Sequence, residues 1–154
     1  MKSPNLLVDK SWEVKVADFN LSRILEGTAA LSDPGITNPR WLAPEVLAGG
    51  GGDCAADRYA FGIILWELMT WEMPWANANV WQLPQQIMVG LRPAIPPLET
   101  LPGPDAKPFA GLGRYIELMQ ACWHQDPAAR PSFAEVCDVL KNLLRTHFPP
   151  APGR

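Results

Sequence analysis

Asp57-Arg58-Tyr59-Ala60-Phe61-Gly62-Ile63-Ile64-Leu65-Trp66-Glu67-Leu68-Met69-Thr70 is the stretch whose reading decides the fold. Tyr59, Phe61, Ile63, Ile64, Leu65, Trp66, Leu68 and Met69 cover nearly every side of a 3.6-residue period. A helix that is apolar all round has to be buried. The spacing predicts a helix from about Asp57, a good N-cap, to Thr70 at the centre of the molecule.

Working outward from it, Tyr115, Leu118, Met119, Cys122 and Trp123 fall at i, i+3, i+4, i+7 and i+8. That is an amphipathic helix facing a core, closed by Asp126-Pro127. Ser132-Phe133-Ala134-Glu135 is a capping box, and the helix it opens carries a stripe of Val136, Val139, Leu140, Leu143 and Leu144. A short helix is expected around Val80 to Val89, interrupted by Pro84, followed by an irregular Pro-rich connection from Arg92 to Pro108. On the other side, Leu6-Leu7-Val8 and Val14-Lys15-Val16-Ala17 are β-prone runs joined by Asp9-Lys10-Ser11-Trp12-Glu13, a small hairpin. From Asp18 to Pro44 there is no sustained period, and loops of that length are uncommon without a function. Ala48-Gly49-Gly50-Gly51-Gly52 reads as a flexible joint, and Pro149-Pro150-Ala151-Pro152-Gly153 as a frayed tail.

The 154 residues are 47% hydrophobic and 19% charged, a globular balance, and the net charge of −3 carries no polyanion-binding signature. Nucleic acid is therefore not an expected partner. Cys54, Cys122 and Cys137 are odd in number and lack a C-x-x-C spacing, so no disulfide framework or zinc site is expected. The N-terminus has no apolar signal region, and no apolar run reaches the roughly 18 residues a membrane span needs. A soluble, cytoplasmic chain is expected.

Lys2-Ser3-Pro4-Asn5 precedes the hairpin, and Ala17-Asp18-Phe19-Asn20 leaves it, so the hairpin returns Asp18 beside Asn5. An amide oxygen and a carboxylate could converge there on one hard cation. Then follow Ala43-Pro44-Glu45, Asp57-Arg58-Tyr59-Ala60-Phe61-Gly62, Cys122-Trp123 and Asp126-Pro127-Ala128-Ala129-Arg130-Pro131. The ordered series resembles the signature set of eukaryotic protein kinases from the catalytic-loop Asn onward. It covers the chain to about Phe148. Lys2, with Trp41 and Cys122-Trp123, makes it most similar to the tyrosine-kinase-like, Ser/Thr-directed kinases.

The resemblance implies a mainly α fold, the C-terminal lobe of a kinase over residues 1–148, a helical bundle with a small β-hairpin at its nucleotide face. ATP and Mg²⁺ would be the cofactors. Asn5 and Asp18 match the two magnesium-holding positions, and Lys2 the catalytic-loop lysine that steadies the transferring phosphoryl group. Leu7 matches the apolar floor under adenine, and Phe19 the regulatory aromatic beneath the metal site. Glu45 and Arg130 match an ion pair that ties the end of the activation segment to later helices. Asp57 matches the aspartate that holds the catalytic-loop backbone. Thr28, Ser32 and Thr37 lie in the activation segment, where a phosphate could order the loop.

The pattern is departed from in three places. Asn20 stands where Gly is usual, a residue among the next most tolerant of unusual dihedrals. Asn38 replaces the usual threonine of the substrate-docking loop. Met1 occupies the Leu position of H-R-D-L-x-x-x-N, so the His, Arg and catalytic Asp, the Gly-rich loop and the rest of the N-terminal lobe are not in this sequence. A lobe without the helix that should precede Met1 is expected to leave part of its central helix uncovered. In an intact parent the reaction would be transfer of the ATP γ-phosphoryl group to Ser or Thr of a protein substrate; the chain alone is expected to be inactive. The missing N-terminal lobe is an expected partner, and the alternative is a catalytically inactive, pseudokinase-like docking lobe.

Overall fold

The computed structural model describes residues 1–17, 39–102 and 110–149. Leu6–Val8 (β1) and Val14–Val16 (β2) form an antiparallel pair with Leu6 opposite Val16 and Val8 opposite Val14. The turn between them is closed by Asp9, whose Oδ1 accepts from the Ser11 and Glu13 amides at 2.8 and 3.0 Å and from the Ser11 hydroxyl at 3.0 Å. Among the described residues five helices follow: α1 (Pro44–Leu47), α2 (Cys54–Thr70), α3 (Leu83–Met88), α4 (Leu112–Cys122) and α5 (Phe133–His147). Short 3₁₀ turns at Ser3–Asn5, Pro39–Trp41, Leu98–Thr100 and Pro127–Ala129 fill the connections.

α2 is the hub. Tyr59, Ala60, Ile63, Ile64, Leu65, Trp66 and Met69 are buried along its length. It starts three residues before the expected position, and the cap is Asp53, which accepts from the amides of Ala55 and Ala56 at 2.8 and 3.1 Å. Asp57 is therefore a first-turn residue and not the cap. Of the part of α2 expected to be uncovered, the structure exposes one large apolar side chain, Leu68, at 63%. The hairpin adds exposed apolar surface, with Leu7, Val8, Val14 and Val16 facing solvent, as do Trp71, Trp81 and Val89 elsewhere.

α4 packs against α2 at close range. Gly62 makes this possible, since a Cβ there would sit 2.9 Å from the Trp123 amide nitrogen and 3.1 Å from the Met119 carbonyl. The Tyr115 hydroxyl donates to the Leu65 carbonyl at 2.8 Å, and the Trp66 indole to the Ala94 carbonyl at 2.9 Å. Burial holds the Tyr115 phenol well above its usual pKa. Pro84 does not break α3, because it falls in the first turn, where a proline's missing N–H is not needed. α5 opens with the expected capping box, Ser132 accepting from the Glu135 amide and Glu135 from the Ser132 amide. Val136 and Leu143 are buried and Val139 and Leu140 half-buried, while Leu144 turns to solvent.

α2 ends with Trp71 in the left-handed conformation, φ 58°, ψ 24°. That position favours glycine, because a Cβ there meets the neighbouring carbonyl. The indole is 73% exposed and has little packing to lose. Trp71→Gly is expected to raise stability by about 1 kcal/mol, read as a higher urea midpoint with an unchanged slope.

Candidate functional site

The tight turn Ser3–Asn5 carries two of the sequence-predicted site residues, Lys2 at its cap and Asn5 at its end. Lys2 caps it in an extended conformation, and its carbonyl accepts from the Asn5 amide at 3.0 Å. The Asn5 carbonyl in turn accepts from Ala17 at 2.7 Å, at the end of the returning strand. Lys2 and Asn5 are both partly exposed, and the Asn5 side-chain amide makes no hydrogen bond among the described residues. An amide oxygen that the described residues leave open is the kind of hard donor magnesium takes, so Asn5 fits that role. Leu7 is 57% exposed on β1, an apolar surface open to a ligand or another protein segment. Asp18, Phe19, Asn20, Thr28, Ser32, Thr37 and Asn38 lie outside the described residues.

α2 holds this turn at two points. Asp57 Oδ1 accepts from the terminal ammonium of Met1 at 2.9 Å. One turn short of the other end, Glu67 Oε1 accepts from the Ser3 hydroxyl and its Oε2 from the Trp41 indole N–H, each at 2.8 Å. Burial pushes the Glu67 carboxyl above its usual range, and the two hydrogen bonds partly offset that. Sequence reasoning passed over Glu67. The available signal was a lone carboxylate inside the apolar run Trp66-Glu67-Leu68, which calls for donors to meet it.

Glu45 and Arg130 are brought together. The guanidinium forks onto the carboxylate, Nη1 to Oε1 at 2.6 Å and Nη2 to Oε2 at 2.8 Å. Arg130 also donates to the carbonyls of His124 and Ala55, both at 2.8 Å. Its side chain is wholly buried and that of Glu45 is 25% exposed. Two guanidinium groups lie over the Tyr59 ring, Arg92 at 4.9 Å and Arg130 at 5.2 Å from its centroid. Burial pushes its phenol up to about 12, although both cations oppose the shift. The arrangement fixes the end of the 39–47 segment to the start of α2 and to the turn before α5.

A shallow groove of about 390 Å³ lies between α4 and α5, lined by residues such as Arg114, Glu117, Pro131 and Asp138. None of its lining residues is one of the sequence-predicted site residues. Among the described residues no helix is long and apolar enough to cross a membrane.

Comparison with known proteins bears on the same stretch. The family model described as protein tyrosine and serine/threonine kinase matches residues 1–140. The serine/threonine-protein kinase CTR1 of Arabidopsis thaliana is 39% identical over 154 residues, all of this chain and 17% of its own length. The probable serine/threonine-protein kinases drkD of Dictyostelium discoideum and SIS8 of Arabidopsis thaliana are each 41% identical, over 94% of this chain and 10% and 13% of theirs. The chain thus spans less than a fifth of these relatives. With a match over residues 1–140, the chain belongs to the protein tyrosine and serine/threonine kinase family.

Proposed function

We propose that the chain is the C-terminal lobe of a Ser/Thr-directed, tyrosine-kinase-like protein kinase, acting in the cytoplasm on protein hydroxyls with ATP and Mg²⁺. The observation that supports it most is the Ser3–Asn5 turn: the Asn5 amide nitrogen bonds to the Lys2 carbonyl, and Ala17, bonded to the Asn5 carbonyl, leads covalently into Asp18. In this reading Asn5 and Asp18 hold the magnesium ion. Bound there, magnesium would neutralise charge on the phosphate oxygens. Lys2 adds a positive charge beside the moving phosphoryl group, Leu7 offers an apolar surface to the base, and Asn38 helps seat the protein substrate. By the family resemblance Phe19 would be the regulatory aromatic of that site. Thr28, Ser32 and Thr37 are the hydroxyls whose phosphorylation would order the segment before Trp41. Glu45, Arg130 and Asp57 hold that segment and the catalytic loop to the helical body. The domain extends over residues 1–148, with 149–154 a tail.

The test is a domain completed at its N-terminus with the preceding kinase residues of CTR1. It is expected to place phosphate on Ser and Thr, and phosphoamino-acid analysis showing phosphotyrosine alone would overturn the assignment. Within it, Asp18→Asn should lower turnover more than Asn5→Ala, since a carboxylate brings a full charge to the metal and an amide only a dipole. Equal or reversed losses in folded variants would remove the metal assignment. The chain by itself is expected to bind ATP–magnesium very weakly.

A second reading, an inactive docking lobe, draws support from the solvent-facing apolar side chains Leu7, Val8, Val14 and Val16 on the hairpin. Calorimetry separates the two. A completed domain that folds but takes up no ATP–magnesium supports the docking lobe.

A further inference from the structure

The groove between α4 and α5 is apolar where it is buried and charged where it is open. Leu118 is buried and Ala121, Pro131 and Val139 are half-buried, while Arg114 and Glu117 of α4 and Glu135 and Asp138 of α5 are exposed. Its volume of about 390 Å³ stands at the low end for ligand clefts, roughly 300–1,000 Å³. That is room for a few side chains of a peptide. The charges around it are unequal, because three carboxylates share the opening with one guanidinium, and that guanidinium is already taken, Arg114 Nη1 lying 2.9 Å from Glu117 Oε2. Glu135 uses one oxygen, Oε2, to accept from the Ser132 amide and hydroxyl at 2.7 and 2.8 Å. Those bonds hold its carboxyl below the usual range, so it is charged at neutral pH, and its other oxygen stays open among the described residues. Asp138, three residues on along the same side of α5, has no hydrogen bond or ion pair among them. Arg58 of α2 makes no ion pair with Glu135, its Nη1 being held by the Arg130 carbonyl at 3.3 Å. The complement to such a groove is a side chain with an aliphatic stem and a cationic head, the stem on the apolar residues and the head among the carboxylates.

We propose that the α4–α5 groove is a docking site for a basic segment of another protein, one that carries arginine beside leucine or a similar apolar residue. Arginine suits it better than lysine, since a planar fork can meet two carboxylate oxygens and is more weakly hydrated. None of the lining residues belongs to the set proposed for phosphoryl transfer. The groove would therefore select a partner without touching the reaction, and the proposal stands or falls apart from the kinase reading.

The test is to titrate the whole chain, labelled with ¹⁵N, with an acetylated hexapeptide amide of alternating leucine and arginine, and to follow the amide resonances. Saturable shifts are expected at Leu118, Ala121, Asp138 and Val139, and they should weaken as salt rises. Asp138→Asn together with Glu135→Gln, which keeps the capping box, should weaken binding about tenfold, roughly threefold for each exposed pair lost. Should the double variant fail to fold, Asp138→Asn alone is expected to show its threefold. Glu72→Gln, a carboxylate outside the groove, should bind as wild type does. Unchanged binding by folded Asp138→Asn overturns the proposal, as does equal binding of the peptide with glutamate in place of arginine, or no saturable shift in the groove by about 5 mM peptide. It is also overturned if light scattering finds a dimer that Asp138→Lys takes apart, since the groove would then belong to a second copy of the chain.

Discussion

Arg130→Ala is expected to destabilise the fold by about 3–5 kcal/mol, the cost of leaving one member of a buried pair without its partner. The pair here is bidentate, with oxygens at 2.6 and 2.8 Å. Removing the guanidinium strands the Glu45 carboxylate and withdraws the donor from the carbonyls of Ala55 and His124. It also takes one of the two cations from the face of Tyr59 and opens a void beneath the ring. Arg130→Lys should recover little, because a single ammonium cannot reproduce the fork. The measurement is urea unfolding followed by circular dichroism. A loss under about 1 kcal/mol would place the pair with exposed ion pairs and remove its structural role.

Gly62→Ala should be the other severe single change, at about 2 kcal/mol or more. In an exposed helix, alanine in place of glycine gains about 1 kcal/mol. At position 62 the added methyl would stand 2.9 Å from the Trp123 nitrogen, 3.0 Å from the Cys122 Cβ and 3.1 Å from the Met119 carbonyl. Two of these atoms are backbone and cannot rotate away. The helices would have to part, and overpacking of a well-filled core costs about 1–3 kcal/mol or more. Gly113→Ala, on the exposed side of α4 with open space around it, is the control and should be neutral or stabilising. A Gly62→Ala variant as stable as wild type would show that α2 and α4 are not in contact there.

Much of this architecture could be read from the residues. The hairpin, the buried central helix, the stripe of α4 and the capping box of α5 follow from period and cap chemistry. α2 was misplaced by three residues at its start because Asp53 and Asp57, one helical turn apart, are equally good caps. Only the two amides meeting Asp53 decide between them. The 3₁₀ turns escaped because three residues are too few to show a period. Glu45 and Arg130 stand 85 positions apart, and no spacing links them; resemblance paired them. Glu67 was invisible for a different reason. Its donors lie on turns whose approach to α2 is settled by tertiary packing, and an acidic residue on a helix is most often simply solvated. Asp18 and the rest of the segment to Asn38 were legible as motif alone.

The burial of α2 on nearly all sides has a consequence for how the chain is made. Thr70 leaves the ribosome 52 residues before Cys122, the last residue of α4. At a synthesis rate of about 5–20 residues per second, that is a wait of roughly 3–10 s. A helix forms in about a microsecond or less, so a complete apolar rod exists for seconds with its principal cover still untranslated. Chains stalled between Thr70 and Leu112 are therefore the ones expected to be held by chaperones, and release should coincide with the arrival of α4.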